Sequence, residues 1–212
     1  MEETIITERP LIKILDRIGQ LIVLGVCWIL GSLPVITLGT STTALYYAVM
    51  KSVRRERGYS LGEFWKSYRA NLGRGILATV PMLLLAGLLC LNIWTLCLAA
   101  GKNGTLIVGN VLLLVLLALT WVYVCPILSR FTMRLRDVWK LAFVMALRFF
   151  PGAAAVLAGT AVLAALHIWV LPIAAVALTP GLWCFATTYL IEKALRRYMP
   201  EKPKDDNAWY YE

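Results

Sequence analysis

Four stretches of this chain contain no Asp, Glu, Lys or Arg: 18–50, 75–101, 103–129 and 149–191. A helix crosses the ~30 Å hydrocarbon core of a bilayer with about 20 apolar residues, so each stretch is long enough to span. Charge segregated in this way constrains the fold more than any motif, because burying unpaired charge in lipid is costly. Hydrophobic residues make up 60% of the 212, and mean hydropathy is +0.73. The chain therefore reads as an all-α, polytopic helical membrane protein. The acidic start, MEETIITERPLIKILDRIG, has no small-residue cleavage site before the first apolar run, so that run is expected to direct insertion itself.

The 43 residues of 149–191 are about twice the core thickness at ~1.5 Å per residue. Two spans are expected there, turning at VLPIAA (170–175), where Pro172 suits a first helical turn. The stretch 75–129 holds two more, divided by AAGKNGT (99–105). The run 18–50 is long for one span and short for two. If it crosses and returns, 20 of the 21 basic residues lie on one side and only Lys102 lies opposite, as the positive-inside rule favours. A single span would instead strand Arg9, Lys13 and Arg17. The expectation is six embedded segments, near 18–33, 35–50, 75–98, 105–128, 150–170 and 172–191, paired as three hairpins with both termini cytoplasmic. A five-span chain, with 18–50 as one long span and an amphipathic extension, is the alternative. Residues 1–198 form one membrane domain and 199–212 a polar tail.

GSLPVITLGTSTTALYY (31–47) closes the first run and concentrates hydroxyls inside it: Ser32, Thr37, Thr40, Ser41, Thr42 and Thr43. Counting ~1.5 Å per residue from Arg17 and back from Lys51 leaves the turn within the outer half of the membrane. Backbone that leaves the helix at that depth must be covered by protein or face a water-filled cavity. Two readings follow. The hydroxyls could cap the start of a broken helix and, with Trp28, Tyr46 and Tyr47, hold a sugar or small anion. Alternatively they could bond to backbone carbonyls and pack helices closely, as Ser and Thr commonly do in membranes.

Two segments 74 residues apart repeat an acid, one residue, Trp-Lys, seven residues and Arg: Glu63, Trp65, Lys66, Arg74 and Asp137, Trp139, Lys140, Arg148. YAVMKSVRR (47–55) and YLIEKALRR (189–197) echo one another at an offset of 142. Both copies would enter the membrane from the same side, as in a parallel repeat. Segments 60–73 and 134–148 also suit interfacial amphipathic helices, with Trp at headgroup level. The cations Lys51, Arg54, Arg55, Arg57, Lys66, Arg69, Arg74, Arg134, Arg136, Lys140 and Arg148, with Trp65 and Trp139, are candidates for docking a cytosolic protein or anchoring to lipid.

The net charge of +9 is explained by topology and anionic headgroups rather than nucleic acid. Cys27, Cys90, Cys97, Cys125 and Cys184 all lie in apolar runs with no CxxC or Cys/His cluster, so neither a disulfide framework nor a metal site is indicated. No HExxH, GxSxG, Gly-rich phosphate loop or acidic cluster is present, and no cofactor is expected. The single histidine, His167, falls near the outer end of the fifth segment with no acid expected beside it. Every acid lies in a segment expected at the cytoplasmic side, so buried carboxylates of the kind pumps use are not expected. Asn92 and Asn110 fit helix–helix glue.

The stretch LDRIGQLIVLGVCWILGSLPVITLGTSTTALYYAVMKSVRRERGY (15–59), followed by FWKSYRANLGRG (64–75), resembles the YesL family of small bacterial integral membrane proteins. SLPVITLGTSTTALYY is its most specific part. The resemblance implies a domain of unknown function in the bacterial cytoplasmic membrane, encoded near carbohydrate-uptake and polysaccharide-degradation genes, with no established catalytic residues. ABC sugar permeases carry a cytoplasmic EAA-type loop, and neither 51–74 nor 130–148 shows it. A non-enzymatic accessory or regulatory component of carbohydrate uptake is the expectation, with transporter subunits or a second copy of the chain as partners. A small solute carrier or binder using 37–43, and then a membrane enzyme, are the alternatives.

Overall fold

The computed structural model describes residues 10–98, 104–169 and 175–198. Among them are seven α-helices and no strand: α1 Pro10–Ser32, α2 Leu38–Ala48, α3 Ser60–Leu98, α4 Gly104–Arg130, α5 Leu135–Arg148, α6 Phe150–Trp169 and α7 Ala175–Leu195. A 3₁₀ turn, Val35–Thr37, leads into α2, and a π-helical stretch, Val49–Arg54, continues it. Ile12–Ser32, Ser60–Leu98, Gly104–Arg130 and Phe150–Ile168 are each long and apolar enough to cross a membrane. The expected turns around Lys102 and Pro172, and the tail 199–212, lie outside the described residues.

The first charge-free run turns back on itself. At the turn end Ser41 Oγ donates to the Trp28 carbonyl (2.9 Å) and Trp28 Nε1 donates to Thr42 Oγ1 (3.2 Å). At the opposite end Arg17 pairs with Glu56, and Ser60 Oγ bonds Gln20 Oε1 at 2.7 Å. α1 and α2 are therefore antiparallel, and the single-span alternative for 18–50 does not apply. The tip is apolar and outward-facing, with Leu33 71%, Val35 60% and Ile36 50% exposed. Such a tip suits hydrocarbon better than water. Thr37 folds back to hold it, donating to the carbonyls of Gly31 and Pro34, both at 2.7 Å.

α2 is the hub of the bundle. Gly39, Thr40, Ser41, Thr43 to Tyr46 and Ala48 are all buried, enclosed by α1, α3, α4 and α7. Lipid tails are as apolar as leucine, so close backbone approach replaces the hydrophobic effect as the packing force. A methyl group at Gly75 would collide with the backbone and side chain of Thr40, and one at Gly39 with Thr79 and the Trp121 ring. α1 and α7 meet the same way, Gly25 against the Ala177 carbonyl and Gly181 against the Leu21 carbonyl.

The amphipathic segment expected at 60–73 and the span expected at 75–98 form one helix, α3, whose 39 residues make about 58 Å at ~1.5 Å each. The segment with the matching sequence pattern, α5, stops at Phe149 (φ −112°, ψ 36°) before α6 begins. Pro151 stands at the position that corresponds to Leu77; it has no N–H to bond the Leu147 carbonyl, which loosens the helix one turn after α5.

Candidate functional site

The hydroxyls of 37–43 are spent inside the fold. Thr40 Oγ1 bonds the Leu72 carbonyl on α3 (3.3 Å), and Ser41 reaches Trp28 as described. Thr42 and Thr43 bond back to the carbonyls of Leu38 (2.8 Å) and Gly39 (2.7 Å). The capping role expected for Thr40 to Thr43 is not what they perform, since all four lie within α2. The donor at the start of the helix is satisfied from a neighbour instead: the Gly39 N–H donates to Thr79 Oγ1 (3.1 Å). An amide taken by Thr79 is withdrawn from any anion. Ser32 Oγ is buried with no hydrogen bond, and Tyr47 faces Lys51 Nζ (3.4 Å).

The candidate cations divide into two sets. One set is engaged internally. Lys51 pairs with Glu63 (2.8 Å), Arg54 donates to Thr188 Oγ1 (3.0 Å), and Arg74 bonds the Phe131 and Met133 carbonyls just past α4 (3.2 and 2.7 Å). Arg55 approaches Glu192 (3.9 Å). The other set, Arg57, Lys66, Arg69, Arg134, Arg136, Lys140 and Arg148, is exposed, with Arg148 also donating to the Tyr198 hydroxyl (3.4 Å). On α5, Arg136 and Lys140 share one exposed face with Phe143, Val144 and Leu147, while Val138, Ala142, Met145 and Ala146 are buried opposite. Trp139 packs at its edge against Trp121, with ring centroids 6.2 Å apart. Trp65 packs beside Tyr68 and Phe64 on α3.

A buried carboxylate is present, contrary to expectation. Glu192, in the last turn of α7, is 5% exposed. Arg130 at the end of α4 places Nη1 3.0 Å from Oε1 and Nη2 2.7 Å from Oε2. Tyr46 donates its hydroxyl to Oε2 (3.3 Å), and Arg196 lies one turn on (3.4 Å). The available signal was that Arg130 and Glu192 are each the first charge after an apolar run. Such residues end spans at the same side, where opposite charges meet. Beyond the spans, the hydrogen bond and charge of Arg17 hold the Glu56 carboxyl below its usual range.

Above this cluster, among α1, α2, α4, α6 and α7, lies a cavity of about 570 Å³. Trp28, Thr42 and Tyr46 of the hydroxyl region line it, joined by Trp121, Trp183 and His167, which sequence reading had not brought together. α6 is the loose wall. Ala153 and Val156 are buried, but from Leu157 onward no described residue of α6 is. His167 Nδ1 donates to the Leu163 carbonyl (2.9 Å), and its Nε2 meets Thr179 Oγ1 (3.1 Å). Among the described residues no group of three or more His, Cys, Asp or Glu is placed to hold a metal.

An all-helical chain with four apolar helices of spanning length, a hub helix packed through glycine and a polar cluster at one end is a polytopic helical membrane protein. Within that class, residues 21–93 match the family model described as protein of unknown function, DUF624. The match runs from α1 through α2 into α3 and overlaps the stretch that resembles the YesL family. No curated protein and no solved structure matches the chain.

Proposed function

We propose that this protein is a non-enzymatic accessory or regulatory component of carbohydrate uptake in the bacterial cytoplasmic membrane, with both termini cytoplasmic, rather than a carrier working through the hydroxyl break. The carrying observation is the split of the cations. Lys51, Arg54, Arg55 and Arg74 are engaged by the protein itself, while Arg136 and Lys140 stand with Phe143, Val144 and Leu147 on the outward face of α5. Apolar side chains beside cations on one helix face suit a partner at the headgroup level, either lipid or a neighbouring subunit. The hydroxyls of 37–43, occupied by carbonyls, lend a sugar site little support. The carbohydrate element rests on the resemblance to the YesL family.

The test is purification of the tagged protein in mild detergent from sugar-induced cells, with mass spectrometry of co-purifying proteins. Stoichiometric recovery of a transporter permease or ATPase subunit, lost on Arg136→Glu with Lys140→Glu, is the expected result. A solitary protein from such cells overturns the accessory reading.

A further inference from the structure

The cavity among α1, α2, α4, α6 and α7 has walls built for one kind of occupant. Its volume, about 570 Å³, falls within the ~300–1,000 Å³ of ligand sites and well above the ~150 Å³ void that admits benzene. Most of the polar groups in its wall already have partners in the protein. Trp28 Nε1 donates to Thr42 and Trp183 Nε1 to Thr160 Oγ1 (2.9 Å), while Thr160 bonds the Val156 carbonyl (2.7 Å). His167 meets Thr179, Thr187 bonds the Trp183 carbonyl (2.9 Å), and Tyr46 meets Glu192. A sugar would lose its hydration on entering and find these groups engaged.

Trp183 and Trp121 are also fixed in place by packing. Gly159 leaves the space in which the Trp183 ring lies, and Gly39 does the same for Trp121; a methyl group at either glycine would meet the indole. Rings seated on glycine, with the Trp183 N–H also tied to Thr160, form flat, preorganised apolar walls, which lowers the cost of ordering them on binding. From Leu157 onward no described residue of α6 is buried, so this wall of the space meets the surrounding hydrocarbon.

We propose that the cavity holds one acyl chain of a membrane phospholipid, taken up beside the outer half of α6. The site is independent of the docking face on α5.

The protein is reconstituted into vesicles of phosphatidylglycerol and phosphatidylethanolamine doped with a phospholipid carrying a diazirine on one acyl chain, irradiated, and mapped by peptide mass spectrometry. Adducts should concentrate on the cavity walls, at Trp121, Leu157 and Ala164, relative to the lipid-facing Leu84 and Leu88 of α3. Ala164→Phe fills the cavity and should reduce wall adducts by about tenfold, the change that ~1.4 kcal/mol produces. Ala161→Phe, elsewhere on the same helix, should leave them unchanged. Ala118→Phe fills the same space from α4 if the first variant does not fold. Even labelling of wall and lipid-facing positions in the wild-type protein means annular contact only and overturns the proposal. Protection of the wall by maltose would overturn it in favour of a sugar site.

Discussion

Arg130 and Glu192, 62 residues apart, close the C-terminal ends of α4 and α7 on one another, with both side chains almost wholly out of solvent (1% and 6% exposed). A buried pair of this kind has little net value over two well-packed apolar residues, yet losing one partner is severe.

Glu192→Gln should therefore destabilise the protein by about 3–5 kcal/mol, because Arg130 keeps its charge and loses its carboxylate. Thermal unfolding in detergent measures this as a lowered Tm. Arg130→Met combined with Glu192→Leu should recover most of the loss. If the double variant is as unstable as the single one, the pair carries more than its own charge.

Gly75→Ala drives a methyl into Thr40 on the hub helix and should cost about 1–3 kcal/mol by overpacking. Gly62→Ala, on the same helix where a methyl meets nothing, should instead gain about 0.5–1 kcal/mol. The two Tm shifts, opposite in sign, test whether small-residue contact holds α2 to α3.

Thr79→Val keeps the side-chain shape and removes the acceptor of the Gly39 amide, leaving a buried N–H unpaired at a cost of about 1–3 kcal/mol. Thr120 only bonds back within its own helix, to the Leu116 carbonyl (2.8 Å). That carbonyl is also in reach of the helix ladder, so Thr120→Val should be close to neutral. Equal losses would mean that Thr79 acts through packing alone.

The tip of the first hairpin should lie in hydrocarbon. In a background with the five cysteines replaced, Val35→Cys should resist a membrane-impermeant maleimide and react with a lipid-soluble one. Rapid labelling by the impermeant reagent would put the tip in water.

Charge segregation made most of the helices legible, because the cost of an ion in lipid is written into composition residue by residue. The return near Pro34 was legible too, since only a returning chain gathers the cations on one side. The partners of the hydroxyls were not. Thr43 looks the same in sequence whether it faces a ligand or the carbonyl of Gly39, and that choice depends on which helices pack against α2. Glu192 was misplaced for a related reason. Its position next to an apolar run showed where its helix ends, while its burial depends on α2 and α4, far away in the chain. The cavity could not be read at all, because its walls are glycine–tryptophan contacts between helices distant in sequence.

The burial of α2 also governs how the molecule can be made. This helix is short, rich in hydroxyls and continued by cations, so it is a poor candidate for leaving the translocon into lipid alone. Thr79, which takes its first free amide, is synthesised about 40 residues later, Arg130 later still, and Glu192 and Thr188 almost last. The centre of the protein is therefore completed by its final helix. A ribosome stalled before α7 would present a quality-control protease with an assembled rim around an unfinished hub.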